Sequence, residues 1–203
     1  MKGQFVITGG PGTGKSTLIK SLREAGLACF DEVSREVIVE ANKFGTGLLP
    51  WENLQLFADE CFRRMKEQLG QVQSYELCFF DRGIPDIAAY LKNGGLTASS
   101  ELLAMGNRYA KLALVAPPWK EIFVNDSERP QSFNDCIKLH THIVETYLEL
   151  GYKVVMIPRL PVDERVWFVL KTVEEYLLES RTVLNTQNSS FYLTKEGSEE
   201  ISE

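Results

Sequence analysis

Residues 9–16 read Gly9-Gly10-Pro11-Gly12-Thr13-Gly14-Lys15-Ser16, and their spacing is that of a loop built to hold phosphate. The apolar run Phe5-Val6-Ile7 precedes them and Thr17-Leu18-Ile19 follows, so the stretch joins a strand to a helix. Glycine lets the backbone turn tightly and aim successive N–H groups inward, where the start of the helix adds its partial positive charge. Gly10, Pro11, Gly12, Thr13, Gly14, Lys15, Ser16 and Thr17 are the expected cradle of a polyphosphate. In it, Lys15 reaches the β and γ phosphates and the Ser16 hydroxyl completes part of a Mg²⁺ shell.

Outward from this loop, four more apolar segments read as strands: Leu27 to Phe30, Leu77 to Phe80, Leu112 to Val115 and Tyr152 to Ile157. Helical periodicity separates them over Val33 to Val39, Trp51 to Leu69, Ile84 to Leu91 and Ser132 to Leu150, with a last helix over Val162 to Leu178. Ile122-Phe123-Val124 reads as a short extended piece. Strands apolar along their whole length and alternating with helices predict an α/β fold with a parallel sheet covered on both faces. Ligands in such folds bind at the carboxyl ends of the strands. That rule brings Asp31 with Glu32, and Asp81 with Arg82, to the same edge as the phosphate loop. Residues 1–180 are the expected domain and 181–203 a C-terminal extension. Its short patch Phe191-Tyr192-Leu193 would add a strand or a docking segment before a disordered polar tail.

The chain has 203 residues, 44% hydrophobic and 25% charged, with a net charge of -6, which suits one core rather than two. The acidic balance argues against nucleic acid or an acidic membrane as partner, since either needs a basic face. Cys29, Cys61, Cys78 and Cys136 are scattered and read as buried thiols rather than a disulfide or zinc framework. No apolar run approaches the roughly 18 residues of a membrane span, and the first strand begins too early for a signal peptide. The expectation is a cytoplasmic protein, monomer or homodimer, whose partner is a small-molecule phosphate acceptor.

Glu32 is the expected general base, at a strand end facing the γ phosphate across a cleft, and Asp31 competes for that role or for contact with the acceptor. For either carboxylate the alternative is a helix N-cap. Arg35, one turn from Glu32, could clamp a substrate anion or Glu32 itself. Asp81 ends an apolar strand downstream of the loop, the position from which a carboxylate holds Mg²⁺ directly or through water. Arg82 beside it is expected to fix a substrate hydroxyl or phosphate with its planar fork, or to form an ordinary ion pair. Asp86 is a substrate contact or a first-turn helix carboxylate. Arg129, in the polar turn before Pro130, is the candidate lid arginine. His140 and His142 are two apart on a helix, with no metal-ligating partner in sequence.

Ile7 to Thr17, Glu32-Val33-Ser34-Arg35, Phe80-Asp81-Arg82-Gly83 with Asp86 and Tyr90, Glu128-Arg129, and Val162 to Leu170 with Glu164-Arg165 occur in one order. In this the chain resembles the small P-loop ATPases of the NadR-like type, grouped with AAA-named domains and similar to nucleoside and nucleotide kinases. The resemblance covers about residues 3–175. It implies a three-layer P-loop NTPase fold with strand order 2-3-1-4-5, a helical lid over about 125–135, ATP as nucleotide, and an adenine contact at Arg159. It implies an ATP-dependent phosphotransferase acting on a small hydroxyl acceptor such as a nucleoside. The alternative is a nucleotide-controlled regulatory or binding protein.

Overall fold

Side chains alternate across a strand, and here both faces are apolar, so each strand must be covered twice. The computed structural model, which describes residues 3–74, 77–124 and 131–196, meets that demand with a five-stranded parallel sheet. The strands are β1 (Gly3–Thr8), β2 (Ala28–Phe30), β3 (Leu77–Asp81), β4 (Leu112–Val115) and β5 (Lys153–Met156), in the order β2-β3-β1-β4-β5. This is the expected three-layer P-loop NTPase fold. Phe5 and Ile7 of β1, Phe79 of β3, and Leu112 and Leu114 of β4 face one core, completed by α1 (Lys15–Glu24) and α7 (Val162–Glu196). Val6, Cys78, Phe80, Ala113 and Val115 face the other. That second layer is α2 (Val33–Phe44), α3 (Leu54–Gly70), α4 (Ile84–Asn93), α5 (Ser100–Met105) and α6 (Phe133–Glu149). Phe30 stacks on Phe80 with ring centroids 4.7 Å apart, fastening the short edge strand β2 to β3.

In the register Ile7 lies opposite Asp81, and the Arg82 N–H donates to the Ile7 carbonyl at 2.9 Å, carrying the β1–β3 ladder one residue further. Strand order reverses at β1, so the phosphate loop opens at the switch point of the sheet, where open α/β folds bind ligands.

Several expected boundaries move. Ile122 closes a 3₁₀ turn, Lys120–Ile122, rather than starting an extended piece, and Phe123 packs edge-on against Phe133 instead of a sheet edge. Helix α3 starts at Leu54 rather than Trp51 because Asn53 caps it, its side chain accepting the Leu56 N–H at 3.1 Å. Helix α5 was not foreseen, although Ser99 caps it through the Leu102 N–H at 3.2 Å. Helix α7 continues past Leu178 to Glu196, so residue 180 falls inside it and 191–196 are helical rather than a strand. The polar tail from 197 lies outside the described residues. Among the described residues no helix is long and apolar enough to cross a membrane, and all four cysteines are free thiols.

Candidate active site

Gly12 and Gly14 take φ of 69° and 77°, the left-handed region that L side chains avoid, and Gly14 is the N-cap of α1. Within the loop they shape, the Thr13 hydroxyl donates to the Gly10 carbonyl at 3.0 Å. The buried Lys15 ammonium donates to that same carbonyl at 2.7 Å. Ser16 Oγ lies 3.4 Å from Asp81 Oδ2, so the hydroxyl and carboxylate expected to share a metal meet between the start of α1 and the end of β3. Among the described residues no group of three or more His, Cys, Asp or Glu could hold a metal. A Mg²⁺ bound mainly by phosphate and water requires only one or two protein ligands, and Ser16 with Asp81 fits that pattern.

Beyond β3, Arg82 has φ 70°, and among the described residues it is the one non-glycine with a positive φ. Such a conformation costs on the order of 1–3 kcal/mol and persists where surrounding bonds over-determine it. Those bonds are present. Nε donates to Glu32 Oε1 at 2.8 Å, Nη1 donates to the Gly9 carbonyl at 2.8 Å, and Nη1 lies 3.4 Å from Asp86 Oδ1. The guanidinium sits 5.5 Å from the centre of the Tyr90 ring. Burial by itself would lower the Arg82 guanidinium, but Tyr90, Glu32, Asp86 and Asp81 around it prevail and raise it well above its ordinary value. Its Nη2 is buried and has no hydrogen-bond acceptor among the described residues.

Glu32 occupies the N-cap position of α2, yet its side chain makes no capping bond. Its Oε1 instead accepts from Arg82 and, at 2.7 Å, from the Ser34 hydroxyl. Asp86 is a hub: Oδ1 accepts from the Thr8 hydroxyl, and Oδ2 accepts from the Gly83 N–H at 2.9 Å and the Tyr147 hydroxyl at 2.6 Å. Burial, then the Asp86 charge, pushes the Tyr147 hydroxyl well up, so it remains a donor. Thr8 Oγ1 accepts the Gly9 N–H at 2.6 Å, which ties Asp86 to the first residue of the phosphate loop.

Glu32, Ser34, Arg82, Asp86, Tyr90 and Gln131 are the polar residues lining a narrow cavity of about 40 Å³. The rest of its lining is mostly apolar and includes Ile38, Leu54, Phe57, Ala58, Met65 and Ile87. Asp31 is exposed, in a 2.7 Å ion pair with Arg23, and borders the groove beside Ser16, Glu32 and Asp81 rather than the cavity. Arg35 borders both the groove beside Ser16, Glu32 and Asp81 and the mouth of the phosphate loop. Arg159 donates to the Pro118 carbonyl at 2.6 Å, joining the loops after β4 and β5. Arg129 lies outside the described residues. Sequence reasoning gave no role to Arg165. It is buried against Gly14 although it sits one helical repeat before Val169 and two before Val173, on the apolar stripe of α7. A charge on that stripe was the available signal.

This sheet order, with a glycine cradle at its switch point and an Asp-Arg turn on the neighbouring strand, defines a P-loop NTPase fold of the kinase-like type. The AAA-domain family matches residues 4–165, and the chain belongs to that family. No curated protein sequence matches it. Among solved structures, a deoxyadenosine kinase from M. mycoides with products bound superposes with TM-score 0.62 at 14% identity, over 85% of this chain and 99% of that one. A NadR protein in complex with NR superposes with TM-score 0.61 at 20% identity, over 86% of this chain and 50% of that one. Shikimate kinase from Aquifex aeolicus vf5 follows at TM-score 0.53 and 20% identity, over 86% and 98%. At these identities the likeness is one of fold. It spreads over several kinase types and does not single out a NadR-like subgroup.

Proposed function

We propose that the chain is an ATP-dependent phosphotransferase acting on a small hydroxyl compound seated in the cavity beside the phosphate loop. The observation that carries this reading is the placement of Glu32 and Arg82 together in the lining of a mostly apolar cavity. A nucleotide store or a structural loop has no use for such an arrangement. In this reading the loop from Gly10 to Thr17 holds the triphosphate, Lys15 leaves the Gly10 carbonyl for it, and Arg159 borders the adenine. Ser16 and Asp81 would hold Mg²⁺, which when bound neutralises charge on the β and γ phosphates. Glu32 accepts the proton of the acceptor hydroxyl as that oxygen bonds to the γ phosphorus and the β,γ-bridging oxygen departs with ADP. Arg82 fixes Glu32 through Nε and retains Nη2 as a donor for the acceptor. Arg35 and Arg129 are the further cations for the transferring phosphoryl group, Arg129 from the lid.

The cavity lining also bears on the acceptor. Two carboxylates, Glu32 and Asp86, face one cation, Arg82, so an anionic compound meets net repulsion and a neutral or cationic one does not. The apolar part of the lining suits a compound with a ring or hydrocarbon body. As it stands the cavity falls below the roughly 300 Å³ at which pockets for drug-sized ligands begin, so an acceptor must spread its walls. The connection between α2 and α3, with Gly45 and Gly47 at φ 64° and 70°, is the segment placed to yield.

The test is incubation with Mg²⁺, ATP and a panel of nucleosides, sugars, shikimate and nucleoside monophosphates, with products identified by mass spectrometry. Transfer to a neutral or cationic hydroxyl is expected. Phosphorylated shikimate or monophosphates would refute the charge argument, and transfer to water alone would refute the kinase reading. A second reading, a nucleotide-controlled binding protein, draws on the exposure of Phe44 (67%) and Trp51 (49%) around the same connection. It requires Trp51 fluorescence to change with nucleotide while no acceptor is phosphorylated.

A further inference from the structure

An arginine shut away from water normally sits against a carboxylate, because a buried charge without a counter-charge costs several kcal/mol. Arg165, in the first turns of α7, is 4% exposed and departs from that rule. Among the described residues its side chain forms no ion pair and no hydrogen bond, and Nε is buried without a partner. The neighbouring acids Asp163 and Glu164 are exposed. Burial lowers the Arg165 guanidinium from its ordinary value, the direction expected of an uncompensated cation.

Its place is equally specific. A Cβ built on Gly14 would meet Arg165 Nη1 at 2.9 Å and Ile122 Cδ1 at 3.0 Å. The guanidinium therefore packs against the very residue that turns the phosphate loop into α1. A side chain at Gly14 would have to displace the ends of Arg165 and Ile122, and the fork approaches loop backbone whose N–H groups already favour anions.

We propose that Arg165 is a phosphate-contacting residue of the nucleotide site, supplying from α7 a second buried cation beside Lys15. The proposal rests on the reading of residues 9–16 as a polyphosphate cradle. A charged hydrogen bond of this kind is worth about 10–100-fold in affinity. It also means that the ligand-free protein carries a charge it would be no less stable without.

The experiment is calorimetric titration of the full chain with Mg²⁺-ATP and with inorganic tripolyphosphate, alongside thermal unfolding without ligand, for wild type, K15A, R165M, R165Q and R165K. Both R165M and R165Q should lose about 10–100-fold for ATP and tripolyphosphate alike, R165K should recover part of the loss, and R165M should unfold no earlier than wild type. Affinities of R165M and R165Q within twofold of wild type, while K15A is impaired, overturn the role of Arg165 and leave the cradle standing. A loss confined to ATP, with tripolyphosphate unaffected, assigns Arg165 to the base and overturns the phosphate contact. Wild type that binds neither ligand overturns the cradle and this proposal together. Should R165M be insoluble, R165Q against R165K decides: a loss in R165Q that R165K recovers supports the contact, and equal affinities overturn it.

Discussion

Two clusters of charge flank the phosphate loop and are built on opposite plans. On the cavity side, Arg82 has Glu32 and Asp86 as counter-charges, and Asp86 is met by four donors, from Thr8, Gly83, Tyr147 and Arg82. On the far side, Arg165 lies buried with no carboxylate among the described residues. Nearby, the buried Lys15 ammonium donates to the Gly10 carbonyl at 2.7 Å. The first cluster balances its charges within the protein, leaving only Arg82 Nη2 without an acceptor among the described residues, and holds its groups fixed, which is what a base and its orienting cation require. At the second, Arg165 has no counter-charge among the described residues. On the proposed reading the rigid cluster would serve the acceptor, and Arg165 the anionic nucleotide.

The largest effect should come from breaking the chemistry of the first cluster without touching the second. Glu32→Gln preserves the shape and the bond from Arg82 but removes the proton acceptor. Phosphoryl transfer should fall at least about 100-fold, while calorimetric affinity for ATP stays near wild type. Equal losses in both would mean that the two clusters are not separable. Next in size is Arg82→Met, which leaves two buried carboxylates without their cation. The cost should be about 3–5 kcal/mol in urea unfolding, the range for breaking a buried ion pair from one side. A loss under about 1 kcal/mol would show that the cluster is more solvated than its burial indicates.

The contrast was half legible in the sequence. Glu32, Asp81 and Arg82 each end or follow an apolar strand, and the rule that parallel sheets bind ligands at their carboxyl edge gathers them before any coordinates exist. The pairing of Glu32 with Arg82 was not legible, because it depends on the positive φ of Arg82, a tertiary effect that a non-glycine residue does not announce. Asp86 could be read as a first-turn carboxylate, and the Gly83 bond bears that out. Its partners Thr8 and Tyr147 lie 78 and 61 residues away. Arg165 was hidden by convention: a charged residue in a helix is read as a solvated face unless its register with Val169 and Val173 is checked.

Two smaller perturbations sharpen the comparison at its edges. Asp86→Asn keeps an acceptor for two or three of the four donors but removes the negative charge opposing Arg82. The expected loss is about 1–3 kcal/mol in unfolding. Because Asp86 reaches the phosphate loop indirectly, through Thr8 and Arg82 to Gly9, ATP affinity should weaken far less than in Lys15→Ala. If ATP affinity instead fell as far as in Lys15→Ala, the rigid cluster would have to be counted as part of the nucleotide site.

The smallest effect concerns His140, whose imidazole feels the charge of Arg159. Burial, and then the charge of Arg159, hold its imidazole below the ordinary value of 6.5, and its Nδ1 is buried without a partner. The native state therefore binds a proton at His140 less readily than the unfolded chain does. As pH falls below 6.5 the unfolded chain takes up the proton first, so this residue makes stability decline with acidification and recover as pH rises. His140→Gln should remove that part of the slope. Between about pH 7.5 and pH 5.5 wild type should lose more stability in urea unfolding than the variant, by under about 1 kcal/mol. A wild type that gains on the variant as pH falls would mean that the imidazole is held protonated, and that an acid faces His140.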